Sequence, residues 1–214
     1  MRILKPLFLG GLCLSLALPA LADNESSASL SPVPKSFQYC TVCHGVGLRG
    51  NPSTGAPRLS GLPTWYIEKQ LTSFKSLWRG TVEQDYPGNE MRVAAEGITS
   101  EQIPAAATYA SNTQSPVATA SITGDIKAGQ ALFTATCASC HGADAQGDQS
   151  KGAPPLVGRN DWYLERQMKN FMTGRRGIEP KDERGQQMAV AVKVLSDDKA
   201  IDDVVAYIDS LKSQ

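Results

Sequence analysis

The sequence predicts an all-α fold made of two tandem copies of one helical unit. No stretch alternates apolar and polar residues for long enough to predict a strand, whereas several stretches carry helix-starting residues or a helical spacing of apolar residues. The chain also superimposes on itself, without a gap, when it is shifted by 97 residues: residues 40–91 pair with residues 137–188, and 21 of these 52 positions are identical. Because solenoids generally need three or more units, two copies indicate a duplicated domain.

In the first half, helix signals alternate with breakers of regular structure. Thr64 is a candidate N-cap for a helix over Trp65 to Leu77. Thr99 and Gln102 form a capping box at the start of a further helix. Glycines and prolines predict loops between these elements, over Gly45–Pro57 and Gly80–Gly88.

In the second half, three helices are predicted. The first covers Ile126–Ala135, the second has Asp161 as its N-cap, and the last starts at Ser196. The last helix has one apolar stripe, with Asp202, Asp203 and Asp209 off it. The stripe consists of Ile201, Val204, Val205, Ile208 and Leu211. We expect this stripe to be buried.

A Cys-x-x-Cys-His motif occurs once in each half. Its members are Cys40, Cys43 and His44 in the first copy, and Cys137, Cys140 and His141 in the second. This is the attachment motif of c-type haem, in which the two thiols add to the vinyl groups of the porphyrin and the adjacent histidine gives the iron its first axial ligand. The sequence therefore predicts two covalently attached haems.

Zinc sites, redox dithiols and disulfides also use Cys-x-x-Cys pairs. The second pair of a zinc site usually follows within about 12–20 residues, but here the two pairs are 97 residues apart. A redox dithiol requires neither the following histidine nor a second copy. The only two histidines of the chain both occupy the motif, so haem attachment is favoured over these alternatives.

The repeat also selects a second axial ligand for each iron. Apart from the initiator, the methionines are Met91, Met168, Met172 and Met188, and the shift pairs only Met91 with Met188. Each of these two follows its histidine by 47 residues. We predict them as iron ligands and place Met168 and Met172 in the core, because methionine often fills irregular gaps. The alternative is a different methionine or an open coordination site.

The first 22 residues are interpreted as a secretory signal peptide. Arg2 and Lys5 precede a short apolar run over Leu7–Leu18, and small residues allow cleavage after Ala22. The alternative is a retained membrane anchor, but twelve apolar residues are too few to span a bilayer. Cys13 lies in this run and would be removed with the signal. We therefore expect a periplasmic protein.

The mature chain is predicted to hold a first domain at residues 23–110, a linker rich in Ser, Thr and Ala at 111–124, and a second domain at 125–214. No other segment is long and apolar enough to predict a membrane span. The whole chain has 21 basic and 21 acidic residues. This balance gives no indication of nucleic-acid binding.

Taken together, these motifs make each half resemble a class I cytochrome c domain, and the tandem resembles the dihaem periplasmic cytochromes of the c4 type. The similarity rests on the haem motifs, the Ala-Pro-x-Leu-x-Gly segments at 56–61 and 153–158, the Trp-Tyr helix, the late methionines and the closing helix. It implies that each half is a few short helices wrapped around one covalently bound haem.

The resemblance also implies roles for residues outside the motifs. The carbonyls of Pro57 and Pro154 would accept a hydrogen bond from Nδ1 of the two motif histidines. Arg79 and Arg176 would approach a haem propionate, the alternative being a solvated helix end.

The first and last helices of the second half would also meet, with Gly129 and Phe133 against Tyr207. The first half departs from the pattern because Pro32 and Pro34 stand where its first helix should begin. That helix is expected to be short or irregular.

The resulting hypothesis is electron transfer between respiratory-chain components. His/Met ligation fills both axial positions of the iron, and a thioether ligand raises the reduction potential. The expected partners are a redox donor and acceptor, such as a dehydrogenase or a terminal oxidase, through which the chain would associate with a membrane. Two alternatives stay open: a cytochrome subunit docked permanently on such an enzyme, and a dihaem peroxidase, which the absence of a spare histidine disfavours.

Overall fold

The computed structural model describes residue 1 and residues 34–213. The predicted signal peptide beyond Met1, and Pro32, lie outside the described residues. The helices of the first half are α1 (Gln38–His44), α2 (Thr64–Lys75), α3 (Tyr86–Glu96) and α4 (Ile103–Asn112). Those of the second half are α5 (Ile126–Leu132), α6 (Ala138–His141), α7 (Asp161–Met172), α8 (Glu183–Ala191) and α9 (Asp198–Ser210).

The all-α prediction is confirmed. Within residues 34–213 the only β-type pairing consists of two isolated bridges, Asn51 with Ala56 and Asp148 with Ala153. As expected, the described start of the first half is short: a 3₁₀ turn over Lys35–Phe37 leads directly into the seven residues of α1. In the same described part of the chain, no helix has the length and apolar character needed to cross a bilayer.

The capping box of Thr99 and Gln102 is confirmed, although it starts a 3₁₀ turn that leads into α4. Two other N-cap predictions are wrong by one residue. Thr64 and Asp161 are the first residues of their helices, so the N-caps are Pro63 and Asn160. The Asp161 carboxylate instead accepts hydrogen bonds from the linker.

The last helix also starts later than predicted. Its N-cap is Asp197, whose carboxylate accepts from the N–H of Ala200 at 2.8 Å, and its first residue is Asp198 rather than Ser196. The expected apolar stripe is buried apart from Leu211, which packs at its edge. Asp203, predicted to lie off the stripe, is buried as well. Its carboxylate accepts from the N–H of Asp125 at 2.7 Å and pairs with Lys199 at 2.6 Å.

Each half has its own apolar core. In the first half α2 packs on α4, and in the second α5 crosses α9. The predicted contact of Phe133 with Tyr207 is confirmed, with 5.4 Å between the ring centroids. Gly129 lies directly against the backbone of α9: a Cβ at this position would be 1.9 Å from the carbonyl oxygen of Asp203. Only glycine allows the two helices to approach this closely.

The linker is attached to both halves. Because α4 continues to Asn112, two residues of the predicted linker are helical. On the first half, the Arg58 guanidinium donates to the carbonyls of Ser115, at 2.7 Å, and Pro116. On the second half, the Asp161 carboxylate accepts from the N–H of Ser121 and, at 2.7 Å, from the N–H of Ile122. These bonds hold the segment in place.

Gly129→Ala is expected to lower the free energy of unfolding by about 1–3 kcal/mol, because the added methyl group forces α5 and α9 apart. The measurement is denaturant unfolding of the haem-loaded protein. Gly97→Ala is the control, since its Cβ would meet the nearest atom at 3.5 Å, and it should change stability by less than about 0.5 kcal/mol. Equal losses in the two variants would contradict the helix-crossing argument.

Asp161 should make stability depend on pH. Burial acts to raise the pKa of its carboxyl, but hydrogen bonds from the N–H groups of Ser121, Ile122 and Trp162 outweigh burial and hold that pKa below its ordinary value. The folded-state pKa therefore lies below the unfolded value of about 3.9. Ionised Asp161 stabilises the fold above that pH, and this stabilisation is lost as the pH falls through the folded-state pKa.

The corresponding test compares the free energy of unfolding of Asp161→Asn with that of the unmodified protein from pH 7 down to pH 3. The difference should be largest near neutral pH and should shrink in acid. Asp144→Asn, which changes an exposed carboxylate, provides the baseline. A difference for Asp161→Asn that is constant over this range would show that its charge does not hold the linker.

Candidate functional site

The two motif histidines lie at matching positions. His44 is the last residue of α1 and His141 is the last residue of α6, and both are buried. The chain then turns sharply, since the following Gly45 and Gly142 have φ of 76° and 80°. This conformation favours glycine. Each imidazole is thereby turned inward, beneath the loop that follows it.

The predicted hydrogen bonds to the imidazoles are present. Nδ1 of His44 lies 2.7 Å from the carbonyl oxygen of Pro57, and Nδ1 of His141 lies 2.9 Å from that of Pro154. Because a carbonyl oxygen only accepts, each Nδ1 carries the proton and donates. Nε2 is then the nitrogen with a lone pair, which is the atom that a haem iron requires.

Burial also favours the metal-binding form of these rings. It lowers the pKa of both imidazoles, and the hydrogen bonds to Pro57 and Pro154 offset this only in part. The rings are therefore neutral at physiological pH. A neutral imidazole binds a metal without first losing a proton.

The cysteines of each motif differ in exposure. Cys43 and Cys140 are exposed, whereas Cys40 and Cys137 are half-buried and pack against the apolar cores of their halves. Burial, together with the charge of Cys140, raises the pKa of the Cys137 thiol to about 11. One sulfur in each pair thus lies inside the fold and the other at the surface, as expected for two attachment points along one edge of a bound group.

Met91 and Met188 lie within helices, α3 and α8, rather than directly after a loop. The predicted loop over Gly80–Gly88 is shorter than expected because α3 begins at Tyr86. Both helices start from an aspartate N-cap, Asp85 or Asp182, whose carboxylate accepts from the N–H of a glycine three residues later. In both halves the methionine follows that glycine by three residues.

The glycines that donate to these aspartates cannot be replaced by a larger residue without displacing the aspartate side chain. A Cβ on Gly88 would lie 2.0 Å from the Asp85 carboxylate, and one on Gly185 would lie 2.1 Å from the Asp182 carboxylate. The pattern Asp-x-x-Gly-x-x-Met is identical in the two halves. This repeated pattern is a sequence signal for the starts of α3 and α8, and it explains why the loop before Met91 is shorter than predicted.

One continuous cavity reaches both histidines and both predicted methionine ligands, and residues of the two halves line it together. Met168 also lines this cavity, from α7, and is buried in the second core, where Met172 packs beside it. At the position of Met168 the first half has Leu71, which lines the same cavity. Only Met91 and Met188 present a thioether from equivalent helices in both halves.

Arg79 and Arg176 lie between the halves. Each is only 8 % exposed, so the alternative of a solvated helix end is wrong. The Arg79 guanidinium donates to the side-chain oxygens of Gln70 at 2.6 Å and Gln167 at 2.9 Å, and Arg176 donates to the same two oxygens at 2.9 Å and 2.8 Å. Each glutamine oxygen therefore accepts from one arginine of each half. We call these four residues the Arg-Gln square.

Two tyrosines extend the Arg-Gln square. The hydroxyl of Tyr163 accepts from Arg79 at 3.0 Å, and that of Tyr66 accepts from Arg176 at 3.4 Å. The shift of 97 residues exchanges every member of this network with its counterpart, so the interface has approximate two-fold symmetry. Sequence reasoning missed Gln70, Gln167 and the tyrosines, although all four recur in the repeat.

A c-type haem fits this site. The imidazoles are oriented with Nε2 available, and the cysteines lie at the required spacing. In addition, the buried Nε atoms of Arg79 and Arg176 have no hydrogen-bond partner among the described residues. A buried cationic donor of this kind requires an anion, and haem carries two propionate carboxylates suited to guanidinium groups.

Comparison with known proteins matches both halves to one family. The family model described as Cytochrome c matches residues 32–114 and 126–212. The chain is 31 % identical over 163 residues to a thiosulfate dehydrogenase electron acceptor from Thiomonas intermedia, covering 72 % of this chain and 71 % of that protein.

Two solved structures are also similar. Cytochrome c4 from Acidithiobacillus ferrooxidans has a TM-score of 0.63 and 28 % identity, covering 80 % of this chain and 98 % of that one. The thiosulfate dehydrogenase TsdBA from Marichromatium purpuratum has a TM-score of 0.61 and 29 % identity, covering 79 % of this chain but only 35 % of that one.

Gln167→Leu is expected to lower the free energy of unfolding by about 1–3 kcal/mol, because it leaves donors of Arg79 and Arg176 unpaired inside the protein. The measurement is denaturant unfolding of the haem-loaded protein. Gln130→Leu makes the same chemical change at an exposed position on α5 and should have little effect. If Gln167→Leu were as stable as Gln130→Leu, the Arg-Gln square would not hold the halves together.

Proposed function

Because this chain belongs to the cytochrome c family, we propose that it is a periplasmic dihaem electron carrier in which each iron has one histidine and one methionine ligand. The chain carries two covalently bound c-type haems and is an electron-transfer protein rather than an enzyme. The observation that supports His/Met ligation best is a repeated one. In both halves a histidine with its Nδ1 hydrogen-bonded shares a cavity with a methionine 47 residues later.

In this proposal the four motif cysteines attach the haems through thioether bonds. His44 and Met91 hold one iron, and His141 and Met188 hold the other. The haem irons, by cycling between the ferric and ferrous states, supply the redox chemistry. If the histidine and the methionine both bind the iron, no coordination position would be left for a substrate, which is the property that separates a carrier from a peroxidase.

The protein contributes orientation and burial. The Nδ1 hydrogen bonds prevent rotation of the imidazoles, and the capped helices α3 and α8 fix the methionines. Since one cavity reaches both histidines, the two haems would lie in one shared space, and an electron accepted in one half could pass to the other. The Nε atoms of Arg79 and Arg176 supply positive charge for the propionates where the halves meet.

For the partner, we propose an oxidising enzyme of the thiosulfate dehydrogenase type as electron donor, because the similar protein from Thiomonas intermedia is named as the electron acceptor of such an enzyme. The match to TsdBA favours a second candidate, a cytochrome joined permanently to a dehydrogenase, since the similar part is only about a third of that chain.

Co-purification with a larger redox enzyme would distinguish the docked subunit from the free carrier.

Carbon monoxide binding tests the ligand assignment. The reduced, unmodified protein should contain two haems, show a methionine-to-iron charge-transfer band when oxidised, and bind no carbon monoxide. Met91→Ala and Met188→Ala should each free one coordination position on one iron, so that each variant binds carbon monoxide at one haem. The measurement is optical titration of the reduced proteins.

Met168→Leu is the matched control, because this methionine lines the same cavity but lies outside the repeat pairing. It should leave both irons closed to carbon monoxide. Binding by the unmodified protein, or opening of the second haem by Met168→Leu but not by Met188→Ala, would refute the proposed ligands.

A further inference from the structure

Two cavity-lining arginines break the symmetry of the internal repeat. Arg58 lies in the first half and Arg159 in the second, and both border the cavity between the halves. The shift of 97 residues pairs Arg58 with Pro155 and Arg159 with Leu62. Neither cation therefore has a charged counterpart, unlike the Arg-Gln square.

Arg58 follows Pro57, the residue whose carbonyl holds His44. Arg58 is 7 % exposed, and its terminal nitrogens donate to the linker carbonyls of Ser115 and Pro116. Its Nε is buried and has no hydrogen-bond partner among the described residues. This buried cation thus follows directly in sequence the residue that holds the first histidine, and it lines the same cavity as that histidine.

Arg159 reaches into the first half from the second. It donates to the carbonyl of Ser60 at 3.1 Å, and its Nε is also buried without a partner in the described part of the chain. Burial, followed by the positive charge of Arg58, lowers the pKa of Arg159 to about 10. The contacts of the two arginines also adjoin: Arg58 donates to the carbonyl of Ser115, and the hydroxyls of Ser60 and Ser115 are 2.7 Å apart. The two guanidinium groups therefore lie near each other.

In the described part of the chain, no carboxylate is paired with either arginine. Neither arginine forms an ion pair within residues 34–213, and the oxygens that they contact are neutral backbone carbonyls. Two neighbouring cations, Arg58 buried and Arg159 half-buried, are unfavourable without an anion, since each has lost part of its hydration. Both side chains border the cavity, and a guanidinium cation there matches the carboxylate of a haem propionate.

We infer that Arg58 and Arg159 together bind a propionate of the haem held by His44, and that their charge raises the reduction potential of that haem without a comparable effect on the haem held by His141. This inference rests on the proposed function, because it assumes a haem at each histidine. Positive charge near a haem favours its ferrous state, which carries one positive charge fewer than the ferric state. The pair would therefore tune one site of the duplicated protein separately from the other.

The test is a redox titration of the haem-loaded protein, followed by nuclear magnetic resonance so that each haem is observed separately. Arg159→Leu introduces the residue that the first half has at the equivalent position. We expect it to lower the potential of the His44 haem and to move that of the His141 haem less. Arg159→Lys, which keeps the charge, should restore most of the potential.

Arg49→Leu is the control, because it removes an exposed positive charge from the half that contains His44 and should shift the potential of neither haem appreciably. If Arg159→Leu does not assemble, Arg159→Gln provides the same loss of charge with a polar side chain. An unchanged potential of the His44 haem in a neutral variant, or a larger shift at the His141 haem, would overturn the inference.

Failure of the proposed function would be recognised differently. It would show in the unmodified protein, as carbon monoxide binding or as fewer than two haems. A purely structural role for Arg159 would instead lower the stability of its neutral variants and leave both potentials in place, which would refute the inference alone.

Discussion

The hydrogen bond between a buried imidazole Nδ1 and a proline carbonyl is the interaction on which each half of this protein depends. It joins residues 13 positions apart and closes a loop rich in glycine and proline that contains no α-helix or strand. One β-bridge inside each loop, Asn51 with Ala56 or Asp148 with Ala153, supports the closure. The result is a histidine with a single orientation and its Nε2 directed to the cofactor.

A second layer of polar contacts joins the two halves. The interface contains buried arginines that pair with amide and phenol oxygens rather than with carboxylates. Asn160 adds to it by accepting from the N–H of Arg58 at 2.7 Å and donating to the carbonyl of Arg49 at 3.3 Å. Such an interface has an excess of positive charge, which suits a space that receives negatively charged propionates.

Most of the site could be predicted because its residues occur twice in the sequence, at the same spacing in each half. Comparison of the halves identifies the motif histidines and selects Met91 and Met188 as predicted ligands. The family resemblance implies the proline carbonyls, and the contacts to both carbonyls are confirmed. The errors come from side chains whose partners lie far away in sequence. From the sequence, Asp161 was predicted as an N-cap and Asp203 as part of a solvated helix face. In the structure, both carboxylates accept hydrogen bonds from N–H groups of the segment that precedes α5.

The interface was harder to predict for a different reason. Gln70, Gln167 and the two tyrosines recur in the repeat. However, a polar residue that is identical in both copies of a helix can face either the solvent or the other copy, and the sequence does not distinguish these cases. Arg58 and Arg159 give no repeat signal at all, because each occurs in one half only. Their role depends on how the halves are placed, which local patterns do not specify.

The Arg-Gln square also makes the two halves depend on each other, although each has its own core. Each glutamine oxygen accepts from one arginine of its own half and one of the other, so separating the halves would break two of the four hydrogen bonds and expose a half-paired polar surface on each fragment. The linker itself is bonded to both fragments. Although the chain consists of two copies of one unit, only the pair retains the complete polar network and the cavity that both halves line.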